Sequence, residues 1–111
     1  MKDAKLSRCR VRKGKTRKLR EWYSELEDRS LEVRKTLEHE GMLTETAFLM
    51  EDGEETYLYV FLESKDLGEA EESGSEEKFE IDKQHHEILE DCLEGEWEEL
   101  ETLGHFTNPE R

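Results

Sequence analysis

The stretch that decides the fold is TYLYVFL, residues 56–62, which is apolar at almost every position. In a β-strand successive side chains point to opposite faces. Aromatic and aliphatic side chains alternate here, in the order Tyr57, Leu58, Tyr59, Val60, Phe61, Leu62. A strand that is apolar on both faces is buried on both faces. Helices can cover one face of a small sheet, so we expect a second copy of the chain to cover the other.

Upstream of this strand the pattern predicts a strand, a long helix and another strand. Residues 4–12 alternate in the manner of a strand. Residues 16–40 predict one helix, because apolar side chains recur at helical spacing at Leu19, Trp22, Tyr23, Leu26, Val33 and Leu37. Residues 42–50 predict a strand that the Asp52-Gly53 turn joins to residues 56–62 as a hairpin.

Downstream, residues 63–80 form an acidic stretch of low complexity. Such a stretch cannot bury enough apolar surface to order itself, so we expect a flexible connection. Residues 85–93 predict a second helix, with Asp82 as its N-terminal cap. Residues 97–106 favour a last strand, and an extension of the helix through residues 94–103 is the alternative.

The order of these elements is β-α-β-β-α-β, which is the ferredoxin-like arrangement. The sequence therefore predicts an α+β fold in which two helices lie on one face of an antiparallel sheet. A chain of 111 residues fits a single domain, residues 1–111, with the acidic connection inside it.

The charge is large and unevenly distributed. The net charge is −14, and yet residues 1–20 contain ten basic residues and one acid. A basic segment can bind nucleic acid, but the acidic remainder would repel phosphates, so we expect the segment to pair with that remainder instead. A surface this acidic keeps a protein dissolved at high salt, which predicts a halophilic protein.

No membrane span or disulfide framework is predicted. The longest apolar run, Tyr57–Leu62, is six residues, whereas a membrane helix needs about 20. Cys9 and Cys92 are too few for a four-cysteine metal site, and we expect them to be small buried hydrophobic residues. We therefore expect a cytoplasmic protein with no metal site.

The opening of the chain resembles the dimeric α/β-barrel superfamily. The resemblance is carried by a first strand that ends in Val-Arg-Lys-Gly-Lys (11–15), a long amphipathic helix and a glycine-turned hairpin. This superfamily includes the antibiotic-biosynthesis-monooxygenase-like proteins. Residues 6–14, followed by Gly41 onward, are also similar to an uncharacterised family of small acidic prokaryotic proteins. The resemblance implies a homodimer with its sheets face to face and a cleft between sheet and helices.

Haem-degrading members of this superfamily use an Asn on the first strand, a Trp, and a His on the second helix. His85 corresponds to the helix histidine, whereas the strand position holds Ser7. The strand asparagine and the tryptophan both lack a counterpart in this sequence. With two of the three features missing, we expect neither haem nor any other cofactor.

The candidate site residues are His85 and four residues of the strands. His85 lies near a helix N-terminus, which disfavours the imidazolium form, so it could act as a base or simply lie at the edge of the core. Arg8 and Arg10 could bind an anion or pair with acids, for which Glu45, Glu99 and Glu101 are available. Tyr57 and Tyr59 could line a pocket or an interface.

Two functions follow from these residues. The first is a dimeric module that binds a small ligand or a partner protein. The second is a cofactor-independent monooxygenase or isomerase that acts on a small apolar substrate, with His85 as its base. The enzyme requires a pocket of at least ~300 Å³ near His85, whereas the binding module would fill that space with Trp22, Leu26 and Ile88.

Overall fold

The computed structural model describes residues 3–74 and 77–110. The sheet is antiparallel, with strand order β2-β3-β1-β4. This order confirms the predicted α+β, ferredoxin-like fold. In chain order the elements are β1 (Asp3–Val11), α1 (Thr16–Asp28), α2 (Ser30–Glu40), β2 (Met42–Asp52), β3 (Glu55–Ser64), α3 (Leu67–Gly74), α4 (Glu80–Cys92) and β4 (Leu93–Glu99).

The core lies between one face of the sheet and the helices α1 and α4. Alternate residues of β1 and β3 point into it, which places Cys9 opposite Leu58 across the two strands. Leu19 of α1 and Cys92 at the end of α4 close the other side. Leu58 is only 2% exposed, and burial of such a side chain stabilises the fold by about 1.5–3 kcal/mol.

The opposite face of the sheet, which we call the open face, carries the other set of alternate residues. They are Leu6, Arg8 and Arg10 of β1, Phe48 and Met50 of β2, and Tyr57, Tyr59 and Phe61 of β3. Phe48 and Met50 are 56% and 54% exposed. The aromatic side of β3 is therefore only half covered within one chain.

The predicted helix 16–40 is two helices. The backbone of Arg29 leaves helical geometry at φ −107° and ψ 34°, which ends α1 and begins α2. Its guanidinium donates to Glu25 of α1, Glu32 of α2 and Gln84 of α4. One side chain thus holds three helices together at the break, which periodicity along a single helix does not reveal.

The acidic stretch 63–80 contains more regular structure than its composition predicts. Glu63 and Ser64 are buried at the end of β3, and residues 67–74 form α3. Asp66 caps this helix, because its carboxylate accepts the Glu69 backbone N–H at 3.1 Å. Residues 75 and 76 of the stretch lie outside the described residues.

The last helix and strand both begin earlier than predicted. The second predicted helix, 85–93, is α4, which starts at Glu80, and Asp82 accepts the Phe79 backbone N–H at 2.9 Å from inside the first turn. The strand predicted at 97–106 is β4, Leu93–Glu99, and the alternative helix over 94–103 is not formed. Gly95 accommodates the early start, since its φ of 79° coincides with a register shift against β1.

The basic N-terminal segment is paired with acids. Lys5 contacts Glu99, and Lys15 and Lys18 both contact Asp91, at 2.9 and 2.6 Å. Within the part of the chain that the structure describes, none of the helices is long and apolar enough to cross a bilayer.

Candidate functional site

The structure separates the predicted site residues onto two faces of the sheet. Arg8, Arg10, Tyr57 and Tyr59 are neighbours on the open face. His85 lies on α4, whose residues Ile88 and Leu89 pack against the core on the helix side. The five residues therefore cannot form one site within a single chain.

The open-face residues form a network of ion pairs and rings. The Arg8 guanidinium contacts Glu98 at 3.3 Å, donates to the Tyr59 hydroxyl at 3.3 Å, and stacks 4.2 Å from the centroid of Tyr57. Both arginines are thus paired within the chain, because Arg10 contacts Glu55 at 2.9 Å.

The arginine partners differ from those predicted. Glu98 and Glu55 take the place of Glu45, Glu99 and Glu101. Glu98 lies opposite Arg8 in the β1–β4 register, which the sequence pattern placed four residues too late.

His85 is held by α1. Trp22 donates its indole N–H to Nδ1 of His85 at 2.9 Å, and the two rings stack at 6.1 Å. The ring of Tyr23 meets His85 edge-on, also at 6.1 Å. Because Nδ1 accepts this bond, neutral His85 carries its proton on Nε2. It can donate a hydrogen bond to a ligand, but its basic nitrogen is already occupied.

Tyr23 contacts His85, and Glu45 and Glu40 are linked to this pair through charge interactions; we call the four residues the His85 cluster. Tyr23 comes from α1, Glu40 from the end of α2, Glu45 from β2 and His85 from α4. The charge of Glu45 acts on both Tyr23 and Glu40, and the charge of Asp82 acts on Glu40 and His85. Four elements thus place a phenol beside the imidazole, with one carboxyl, Glu45, that acts on the phenol and on the second carboxyl.

Burial shifts every pKa in the cluster toward the uncharged form. Burial, with a smaller contribution from the charge of the neighbouring His86, lowers the pKa of His85 to about 4. Burial and then repulsion by Glu45 and Asp82 raise the pKa of Glu40 to about 7. The pKa of Tyr23 is raised by burial and by Glu45. Near neutral pH the cluster therefore holds neutral His85 and Tyr23, with Glu40 close to half protonated.

Glu45 is the acid of the cluster that acts on both Tyr23 and Glu40. Its side chain is exposed to solvent, and yet crowding by surrounding protein raises the pKa of its carboxyl. Sequence reasoning missed Glu45 as a site residue, although it shares the core-facing parity of Ala47 and Leu49, where an acid is unexpected.

Two cavities lie elsewhere on the molecule. A cavity of about 950 Å³ lies between the open face, at Leu6, Phe48 and Phe61, and the chain's own C-terminal residues 100–108. Another, of about 500 Å³, lies between Arg12 and the acids of α4. Neither is lined by His85, so neither meets the requirement for the predicted enzyme.

Two other kinds of site are not indicated. Among residues 3–74 and 77–110, no group of three or more His, Cys, Asp or Glu side chains is placed to hold a metal ion. Cys9 and Cys92 are free and buried, and burial raises the pKa of both thiols, which disfavours the reactive thiolate.

Solved structures with this fold come from several organisms. A protein described as a monooxygenase from Fusobacterium nucleatum matches with a TM-score of 0.60 and 14% identity over 88% of this chain. The chain spans only 41% of that protein. A conserved protein from Methanosarcina mazei matches with a TM-score of 0.59 and 19% identity, over 90% of this chain and 89% of its own.

L-rhamnose mutarotase from Formosa agariphila matches with a TM-score of 0.57 and 18% identity, over 95% of this chain and 99% of its own. At these identities the likeness establishes the fold alone, and it confirms the resemblance to the monooxygenase-like, ferredoxin-like proteins.

Comparisons of the sequence give fewer matches than comparisons of the structure. No curated protein matches the chain. One family model matches, and it spans residues 2–111, nearly the whole chain. The protein therefore belongs to DUF6176, a family of unknown function.

Proposed function

We propose that the chain is a homodimeric module that pairs through the open face of its sheet. The observation that carries this proposal is the half-covered aromatic side of β3, flanked by exposed Phe48 and Met50 and by the cavity of about 950 Å³. An apolar sheet face with a groove of this size is typical of an interaction surface. The similar folds of the monooxygenase-like proteins support a face-to-face pair.

The oligomeric state tests this proposal. Sedimentation velocity of the wild-type chain should give a particle of twice 13.2 kDa. Phe48→Asp should give a monomer, because it would bury a charge at the contact. Leu31→Asp is the matched control, since Leu31 is 68% exposed on α2, away from this face. A wild-type chain that sediments as a monomer at every concentration would contradict the proposal.

We infer that each subunit binds a small neutral ligand at the His85 cluster. The groups there are mostly uncharged near neutral pH and offer donors and acceptors: the His85 Nε2–H, the Tyr23 hydroxyl and two carboxyls. Such a set favours a hydroxylated compound over an ion. The mutarotase of the same fold acts on L-rhamnose, which makes that sugar the first probe.

Titration of L-rhamnose into ¹⁵N-labelled protein checks this inference. We expect chemical-shift changes at Tyr23, Glu40, Glu45 and His85, and weaker binding by Glu45→Gln. Glu38→Gln is the control, because Glu38 is an exposed acid two residues from Glu40. Shift changes confined to other parts of the chain would count against the site.

A cofactor-independent isomerase is the second candidate, and the pKa of Glu40 favours it. A carboxyl with a pKa of about 7 can both donate and accept a proton at neutral pH. In a mutarotation, Glu45 would take the proton of the anomeric hydroxyl while protonated Glu40 gives one to the ring oxygen. The bond from the anomeric carbon to that oxygen breaks, and the open-chain aldehyde then recloses on the other face.

Exchange spectroscopy of the two L-rhamnose anomers measures this activity. An isomerase should accelerate their exchange, and Glu40→Gln should remove the acceleration while Glu38→Gln keeps it. Binding of L-rhamnose without faster exchange would support the ligand-binding module and contradict the isomerase. Among the residues that the structure describes, we find no group that favours the monooxygenase alternative over the isomerase.

We also propose that the protein is halophilic and cytoplasmic, on the basis of its net charge of −14. Salt screens the mutual repulsion of the acids. The melting temperature should therefore rise as KCl increases to molar concentration. A melting temperature that stays flat or falls would contradict the halophilic proposal.

A further inference from the structure

The cavity of about 950 Å³ has both of its walls in one chain. One wall is the open face, and the other is residues 100–108, which follow β4 and which we call the C-terminal arm. The backbone N–H of Leu100 donates to the carbonyl of Leu6 at 2.8 Å, which fixes the start of the arm against β1. None of the four residues of the His85 cluster lines this cavity. Its size is that of a site for a small organic molecule.

Much of the lining is apolar and aromatic. Phenyl rings come from Phe48 and Phe61 on the sheet and from Phe106 on the arm, and Leu103 of the arm lies beside them. Phe48 is 56% exposed, Leu103 92% and Phe106 94%. Solvent therefore reaches these side chains within one chain. A ligand with an apolar body would remove apolar surface from water here, which favours its binding.

A buried carboxyl group belongs to the same lining. The side chain of Glu63 is only 3% exposed, and Nε2 of His105 lies 3.2 Å from its Oε2. The hydroxyl of Thr44 donates to Oε1 of Glu63 at 3.2 Å. Thr44 and His105 line the cavity as well, so the sheet and the arm both contact this carboxyl. An acid in an apolar surrounding is stabilised by hydrogen-bond donors and by positive charge.

The charges around the cavity favour a cation. Glu101 of the arm is a second acid in the lining, and the lining residue Lys5 contacts Glu99 at 3.5 Å. The whole chain carries a net charge of −14, so its field attracts cations and repels anions. Aromatic rings also attract cations through their negative faces. A molecule with an apolar body and one ammonium group matches these features together.

We propose that the cavity between the open face and the C-terminal arm binds a small organic amine. Its ammonium group lies near Glu63, and its apolar body lies against the phenyl rings of Phe48, Phe61 and Phe106. This site is separate from the His85 cluster, and one chain supplies both of its walls. The inference therefore goes beyond the proposed function and does not require a second copy of the chain.

Three probes with the same apolar body and different charge test the choice of ligand: 2-phenylethylamine, 2-phenylethanol and 3-phenylpropionate. Calorimetric titration of each into the wild-type chain near neutral pH should show tightest binding of the amine. We expect the alcohol to bind about tenfold more weakly, because it lacks a charged hydrogen bond to the carboxylate. The propionate should not bind. Equal affinities for the amine and the alcohol, or no binding of the amine, would overturn the proposal.

Glu63→Gln tests the carboxyl, since it removes the charge and keeps the size of the side chain. The affinity for 2-phenylethylamine should fall about tenfold, and the affinity for 2-phenylethanol should stay unchanged. Glu54→Gln is the matched control, because it changes the net charge by the same amount at an exposed position in the turn between β2 and β3. The same loss in both variants would assign the effect to net charge and overturn the role of Glu63.

Thr46→Trp tests the cavity without changing a buried group, so it decides the question if Glu63→Gln does not fold. Thr46 is an exposed residue of β2 that lines the cavity, and an indole there would fill part of the space. The variant should keep the wild-type circular dichroism spectrum and lose the amine. In ¹⁵N-labelled wild-type protein the amine should shift signals of residues 100–108. Wild-type affinity in Thr46→Trp, or shifts confined to the His85 cluster, would overturn the site.

Discussion

Trp22 donates its indole N–H to Nδ1 of His85 across 2.9 Å, and this bond decides what the histidine can do. The indole nitrogen is a donor only, so Nδ1 must be the acceptor and the neutral ring carries its proton on Nε2. His85, the base that the sequence suggests, is thereby left as a hydrogen-bond donor. The proposed isomerase therefore assigns proton transfer to Glu40 and Glu45.

Loss of the Trp22 donor should destabilise the fold. Trp22→Phe leaves Nδ1 of half-buried His85 without its partner, which we expect to lower the free energy of unfolding by about 1–3 kcal/mol. Urea denaturation followed by circular dichroism measures the change. Trp97→Phe is the control, because Trp97 is 44% exposed on β4. Equal losses in the two variants would argue against a structural role for the bond.

The lowered pKa of His85 should reduce the free energy of unfolding at acid pH. Burial lowers it from 6.5 to about 4 in the folded chain, so the unfolded chain takes up the proton first. The contribution of His85 is present above pH 6.5 and is lost as the pH falls toward 4. NMR titration should show no protonation of His85 above pH 5, whereas a midpoint near 6.5 would mean that the ring is solvated.

The raised pKa of Glu40 should change the free energy of unfolding with pH in the opposite direction. Its pKa is raised from 4.5 to about 7 in the folded chain, so its contribution is present below pH 4.5 and is lost as the pH rises through 7. Glu40→Gln mimics the protonated form. It should melt at the wild-type temperature near pH 4.5 and above it at pH 8, whereas Glu38→Gln should show no such divergence. A variant that is less stable than wild type at pH 8 would show that Glu40 is stabilised as an anion.

Asp91 should contribute to stability above the strongly acidic range. Hydrogen bonds from Lys18 and Lys15 lower its pKa from 3.8 to about 2. Its contribution is therefore present above pH 3.8 and is lost as the pH falls toward 2. Asp91→Asn should melt below wild type at pH 7 and converge with it at pH 2. Glu90→Gln, an exposed neighbour on α4, is the control, and a similar effect there would point to net charge rather than to the two lysines.

The order of the main strands and helices was predictable because local sequence patterns indicate it. Alternation in β3 and helical spacing in α1 depend only on neighbours along the chain. Element ends were less predictable where another element determines them. The long helix breaks at Arg29, whose guanidinium contacts Gln84, 55 residues away in sequence. The early start of β4 depends on the bulge at Gly95 against β1.

The candidate site was predicted only in part. His85 was identified as a helix residue of interest, but its contacts Trp22 and Tyr23 lie on α1, and the acids of the cluster lie on α2 and β2. Glu45 was predicted to pair with the arginines. The residues next to it in the chain do not indicate which side chains from other elements it approaches.

By itself, the sequence determined that β3 is apolar on both faces, that the fold is ferredoxin-like, and that the chain carries a net charge of −14. Only the tertiary structure decided which acids pair with Arg8 and Arg10, which nitrogen of His85 is occupied, and that Glu45 acts on Glu40. The reason is physical: periodicity records the face that a residue takes on its own element, whereas pairing and pKa depend on atoms brought close from distant parts of the chain.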